Sequence, residues 1–259
     1  MNVKTAERDG VKLAYVDTGG GDPPLLFIHG WCCNHSYWRD QIPQFAKRHR
    51  VVAVDLRGHG QSDKPDQDYT IGGFVDDVAW LVRDLGLRRP VLIGHSMGGL
   101  IALNLVRQRR ELARAAVFDD AAMMPVPEQF QPMVASMLEG LRSPAYREAA
   151  GNFVGNFLFR PESPAQLKEE TITAMAAAPQ RVMHTALAST LSEENMPAGP
   201  VTMPSLFVRA ATQRATEEEL KARYPGMSVT TVDAAHFIQM EKPQEFNRIL
   251  EQFLLEVGD

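Results

Sequence analysis

Six consecutive residues, Gly94-His95-Ser96-Met97-Gly98-Gly99, surround a serine with features suited to nucleophilic attack. They follow a predicted strand, Val91–Ile93, and precede a predicted helix, Leu100–Val106. Gly-x-Ser-x-Gly at a strand-to-helix turn makes a sharp, strained elbow that lifts the serine hydroxyl above the sheet edge. The glycines are steric necessities, because side chains there would collide with neighbouring backbone. A serine hydroxyl is a weak nucleophile. It needs a base to take its proton and donors to hold the charge that develops on a carbonyl oxygen. Seven histidines are available as the base: His29, His35, His49, His59, His95, His184 and His236.

These residues must be positioned by a scaffold, and the apolar pattern supplies one. Short apolar runs at Leu25–Ile28, Val51–Val54, Val91–Ile93, Ala115–Phe118, Leu206–Val208 and Val229–Val232 read as strands. They do not alternate in polarity, as expected of strands covered on both faces. Helical spacing marks Phe74 to Leu85, Leu100 to Val106 and Phe246 to Leu254 between and after them. Strands alternating with helices predict a mostly parallel sheet with helices on both faces. From 123 to 200 no strand is evident. That stretch is rich in Met and Ala and reads as a helical cap inserted after the sixth strand. The core is then 1–122 and 201–259. Met-rich walls adapt their shape and suit an apolar pocket, so Met124 is a candidate substrate contact.

Three motifs in fixed order carry a more specific likeness. His29-Gly30-Trp31, then Asp55-x-Arg57-Gly58-His59-Gly60-x-Ser62, then the elbow, together resemble the α/β-hydrolase superfamily, with esterases, enol-lactonases and carbon–carbon bond hydrolases as the nearest branches. The resemblance spans nearly all the chain outside the cap. It implies that the backbone N–H groups of Trp31 and Met97 form the oxyanion hole. It implies that His236, in Asp233-Ala234-Ala235-His236-Phe237, is the base, because the fold's chain order places the histidine last. It gives the Arg57–Gly60 loop a structural role, with Asp55 and Arg57 expected to pair. His35 is expected at the pocket mouth as a substrate contact. No cofactor or metal is implied.

The third member of the triad departs from the family pattern. Relatives carry an acid in Gly-x-x-Asp after the strand at Ser205–Val208; this chain has Ala210-Ala211-Thr212-Gln213. An amide holds a tautomer but cannot stabilise an imidazolium by charge. The nearby Glu217, Glu218 and Glu219 have another explanation, since Thr216-x-x-Glu219 reads as a helix capping box. The Asp119-Asp120 pair, at the end of the strand after the elbow helix, is where some branches place their acid. Asp120 is the preferred acid, Asp119 the alternate, and Gln213 itself the third possibility.

The expected function is therefore a serine hydrolase of small carboxylic esters, lactones or activated ketones, working through an acyl-serine. An alternative comes from His29-Gly30-Trp31-Cys32-x-x-His35, which resembles the cofactor-free dioxygenases that cleave N-heteroaromatic rings with the same His/Asp pair. Apolar Met97 departs from their pattern. A binding module on this fold is a further alternative, against which an intact serine and histidine speak.

Bulk properties agree with a globular enzyme acting on a small molecule. The chain has 259 residues, 44% apolar and 23% charged, with a net charge of −5. An acidic balance without a basic stripe excludes most nucleic-acid binders. No run approaches the length of a membrane span, and the residues from Met1 to Asp9 do not form a secretory signal. Cys32 and Cys33 are adjacent and read as free thiols, which points to a cytoplasmic location.

Overall fold

A strand that is apolar at every position must be covered on both sides, and here that requirement is met. The computed structural model describes residues 2–257; Met1, Gly258 and Asp259, at the ends of the expected core segments, lie outside the described residues. One sheet contains β1 (Val3–Arg8), β2 (Val11–Asp17), β3 (Leu25–Ile28), β4 (Val51–Val54), β5 (Val91–His95), β6 (Ala115–Asp119), β7 (Ser205–Ala210) and β8 (Ser228–Val232). Their order is β1-β2-β4-β3-β5-β6-β7-β8. The pairs β1/β2 and β2/β4 are antiparallel, and all others are parallel.

Alternate strand residues feed two separate cores. Leu26, Ile28, Val52, Val54, Leu92 and Phe118 pack on one side. There they meet α2 (Ile71–Asp84) and α3 (Met97–Gln108). Leu25, Phe27, Val51, Ile93, Val117 and Val208 pack on the other. There they meet the short α1 (Ile42–Phe45) and, later in the chain, the last helix at Pro243–Val257. That helix buries Phe246, Leu250, Phe253 and Leu254, each contributing about 1.5–3 kcal/mol.

Between β6 and β7 the chain forms α4 (Gln131–Arg142), α5 (Tyr146–Phe157), α6 (Ala165–Ala176) and α7 (Gln180–Leu191), with no strand among the described residues there. After β7 come α8 (Glu217–Arg223), α9 (Ile238–Glu241) and α10, the Pro243–Val257 helix.

Two strands escape the sequence reading. β1 and β2 form an edge hairpin whose residues are partly exposed and interrupted by charge. Its signal is Asp9-Gly10, where both residues have positive φ, 52° and 78°. This is the two-residue turn that right-twisted hairpins favour.

The topology also locates a crevice. β4 lies on one side of β3 and β5 on the other, so the connections leaving β3 and β5 diverge above the sheet. In open α/β sheets ligands settle at such a reversal, outside the carboxyl ends of the strands. Those ends carry His29-Gly30-Trp31 and His95-Ser96.

Candidate active site

Ser96 sits at φ 52°, ψ −117°, a conformation that costs a non-glycine residue on the order of 1–3 kcal/mol. The surroundings enforce it. Added Cβ atoms would overlap the Gly98 carbonyl at Gly94 and the Ile28 carbonyl at Gly98. The tip of β6 ties the elbow down: Ser96 N–H donates to Asp119 O at 2.9 Å, and Ala122 N–H donates to Ser96 O at 3.2 Å. Ser96 occupies the N-cap position of α3, yet its side chain makes no capping bond.

His236 follows β8 and is held from two sides. Its N–H donates to Leu158 O at 3.3 Å, and its carbonyl accepts from His95 Nε2–H at 3.0 Å. Its Nδ1–H donates to Asp120 Oδ2 at 2.7 Å. That leaves Nε2 as the basic nitrogen. Ser96 and His236 line one cavity, and His236 and Asp120 line a second.

Asp120 is immobilised by β7. Its N–H donates to Val208 O at 2.8 Å, and its Oδ1 accepts from Ala210 N–H at 3.0 Å. Gln213 Nε2 donates to the same Oδ1 at 3.3 Å. Gln213 therefore contacts the acid rather than the histidine. Its role was not legible in the sequence.

Beyond β6, Asp120 turns out of the strand at φ 39°, and Asp119, the last strand residue, makes no bond to His236. It is fully buried, and neither carboxyl oxygen has a partner among the described residues. Burial, with Asp120 alongside, pushes its carboxyl well above the usual carboxylate range. Thr216 and Glu219 do form the expected capping box on α8.

Met97 follows Ser96 in the chain, and Trp31 shares the Ser96 cavity. Among the described residues neither backbone N–H has an acceptor. The Trp31 side chain is anchored separately, with Nε1–H donating to Met183 O at 2.9 Å. Met124 lines the cavity that contains His236 and Asp120.

His35 lines neither cavity. Its N–H and Nδ1–H both donate to Asp55 Oδ1, at 2.7 and 2.8 Å, so it braces the loop after β3. One expectation is corrected: Asp55 does not pair with Arg57. Its other oxygen accepts from Gln61 N–H at 2.8 Å, while Arg57 grips Asp77 on α2 at 2.6 and 2.8 Å. The carboxylate turns back over its own loop, and the longer guanidinium reaches a helix.

The remaining histidines have structural partners. His29 Nε2 accepts from Leu56 N–H at 2.9 Å, and burial pulls its pKa down to about 4. Burial lowers His59 to about 3. Burial, then the neighbouring His236, pulls His95 well below the ordinary value. His49 hydrogen-bonds to Pro23 O, and His184 accepts from Arg142. Burial pushes the Cys33 thiol up, so it is not a thiolate nucleophile. Among the described residues no group of three or more His, Cys, Asp or Glu is placed to hold a metal ion. Nor is any helix long and apolar enough to cross a membrane.

Comparisons with known proteins agree with this fold. A family model described as the alpha/beta hydrolase fold matches residues 23–243. A haloalkane dehalogenase from Sphingobium indicum is 28% identical, over 97% of this chain and 94% of its own. Epoxide hydrolase 3 of Xenopus tropicalis is 28% identical, over 95% and 76% respectively. Among solved structures, Est816, described as an N-acyl homoserine lactone degrading enzyme, superposes with a TM-score of 0.80. It is 27% identical, and the match covers 96% of this chain and 100% of Est816.

Proposed function

This chain belongs to the α/β-hydrolase family, and from that premise we propose that it is a serine hydrolase of small carboxylic esters, lactones or activated ketones. The observation that carries the reading is the 2.7 Å bond from His236 Nδ1–H to Asp120, in a histidine that shares a cavity with Ser96.

His236 Nε2 takes the Ser96 proton as Oγ attacks the substrate carbonyl. Asp120 stabilises the imidazolium that forms and keeps the proton on Nδ1. The N–H groups of Trp31 and Met97 hold the oxyanion, each worth about 3–4 kcal/mol of barrier. The imidazolium then protonates the leaving group. Water, deprotonated by His236, hydrolyses the acyl-Ser96 and regenerates the serine.

The relatives include a dehalogenase and an epoxide hydrolase, and chemistry separates this chain from those reactions. A serine oxygen displacing halide from carbon, or opening an epoxide, would leave an ether on Ser96. His236 and water could not hydrolyse that ether. An ester of Ser96 can be hydrolysed, so a serine nucleophile selects acyl substrates. The lactone-degrading neighbour supports the same substrate class.

In this reading residues 123–200 form a cap over the site. The partner is a small molecule and no cofactor is needed. The buried thiols Cys32 and Cys33 suit a reducing cytoplasm. The test is p-nitrophenyl acetate turnover with Ser96→Ala beside the wild type. The variant should lose at least about 10³-fold in kcat while its melting temperature stays within about 2 °C, since the Ser96 side chain makes no capping bond to α3. Retention of most of the activity by Ser96→Ala removes the serine-hydrolase reading.

A further inference from the structure

Two cavities meet at His236, and they differ in size and chemistry. The first, about 160 Å³, is lined by Ser96, Trp31, Cys33, Leu187 and Thr190 among others. The second, about 360 Å³, is lined by Asp120, Met124, Met133, Gln213 and Arg214 among others. His236, Phe153 and Leu158 line both. Ser96 and Trp31 belong only to the first, and Asp120 and Gln213 only to the second.

That division sorts the two halves of an ester. The histidine returns its proton to the leaving oxygen, so the leaving group must lie on the histidine's side of the serine. The acyl carbon is bonded to Ser96, with its oxygen toward the Trp31 N–H. The cavity holding Ser96 and Trp31 is then the acyl side, and the one holding His236 and Asp120 without Ser96 is the leaving-group side. Building on the serine-hydrolase reading, we infer that the acyl group is apolar and no larger than about one aromatic ring, whereas the alcohol is larger and carries polar substituents.

Size supports the first half. An apolar cavity of about 150 Å³ accommodates a benzene molecule, and this one is about 160 Å³. Apart from Ser96 and His236, its hydrogen-bond donors are already engaged with protein. Trp31 Nε1–H donates to Met183 O, Cys33 Sγ–H to Trp31 O at 3.3 Å, and the Thr190 hydroxyl to Ala186 O at 2.7 Å. His95 Nε2–H donates to His236 O, and its Nδ1, a buried acceptor, has no partner among the described residues. A polar acyl substituent would lose its water and find no donor in exchange.

The second cavity offers the opposite. The thioethers of Met124, Met133 and Met137 form an adaptable apolar side. The same lining includes Arg214, whose guanidinium lies 3.8 Å over the Phe130 ring and makes no hydrogen bond among the described residues, while the Gln213 amide is bonded to Asp120 and to Arg214 N–H. An alcohol with an apolar body and a polar end satisfies both walls.

The test uses two ester series whose leaving groups match in basicity, so that rates report fit. One holds the alcohol as ethyl and varies the acyl group from acetate through butanoate and hexanoate to decanoate. The other holds butanoate and varies the alcohol from ethyl through butyl to octyl. Wild-type kcat/KM should fall about tenfold or more beyond hexanoate, yet be maintained or rise through octyl. Leu187→Ala should admit decanoate and leave the alcohol ranking unchanged; Leu187→Val, a milder enlargement, should move in the same direction. Met133→Trp should depress octyl butanoate about tenfold and leave the acyl ranking unchanged. The crossed pattern, or variants that shift both series alike, overturns the assignment while leaving Ser96 chemistry intact. Failure of all esters to turn over, together with no labelling of Ser96 by a fluorophosphonate, overturns the serine-hydrolase reading and this inference with it.

Discussion

Asp120 and Gln213 act as one unit, although 93 positions separate them. The carboxylate that orients His236 is itself oriented by the Ala210 N–H and the Gln213 amide. Asp120→Asn should lower kcat by ~10³–10⁴, because tautomer control and imidazolium stabilisation are lost together. Gln213→Ala removes one of two anchors on a carboxylate that keeps its bond to His236, and should cost about tenfold or less. Steady-state turnover of the two variants checks both; equal losses would mean that Gln213 does more than hold the acid. Asp119 gives a prediction in stability instead. Its carboxyl is held well above the usual range by burial and Asp120, so the native state keeps a proton that the unfolded chain releases. The stability it contributes is present below about pH 4 and lost as pH rises toward the raised native value. Asp119→Asn, which has no proton to lose, should therefore gain stability relative to wild type between pH 4 and pH 8. Denaturant unfolding at both ends of that range checks it, and a constant difference would mean Asp119 is ionised in the fold. The elbow at Ser96 and the place of His236 after β8 were legible in the sequence because each follows a local pattern. The Gln213–Asp120 contact was not, because only the pairing of β6 with β7 brings the two together. The His35–Asp55 bond was hidden for the same reason: the closeness of His35 to Trp31 in sequence is visible, but its bond to Asp55, 20 residues on, is not.

At the scale of elements, the elbow depends on how closely α3 approaches β3. A Cβ on Gly98 would overlap the Ile28 carbonyl oxygen, and backbone cannot yield as a side chain does. Gly98→Ala should destabilise by at least about 2 kcal/mol and displace the Met97 N–H, so activity should fall with stability; thermal unfolding and turnover together check it. The parallel strands were legible as apolar runs because both their faces are buried. The β1–β2 hairpin was missed because edge strands carry charge and need only one covered face; Asp9-Gly10 was its readable sign. Helix α5 contributes Phe153, which lines both cavities and packs edge-on against Trp31 with ring centroids 5.8 Å apart. Phe153→Ala should merge the two spaces and flatten selectivity in both ester series, with less effect on kcat for the smallest ester. An unchanged ranking would show that α5 does not partition the site.

The whole molecule stands on buried neutral histidines as well as on its two cores. Burial pulls His29 down to about 4 and His59 to about 3, so the unfolded chain takes up protons first as pH falls. Stability from these groups is complete above about pH 6.5 and lost progressively toward pH 4 and below. Unfolding free energy measured at pH 7, 5.5 and 4.5 should decline in that order, and a flat profile would contradict the buried, neutral assignment. Around this frame, the proposed mechanism places one covalent event at Ser96. The most direct test is to quench the enzyme during turnover of p-nitrophenyl butanoate and weigh it. The account predicts an added butanoyl mass on the peptide that contains Ser96, stronger in Asp120→Asn if deacylation is slowed more than acylation, and absent in Ser96→Ala. Turnover with no adduct, retained in Ser96→Ala and accompanied by oxygen uptake on N-heteroaromatic substrates, would contradict it.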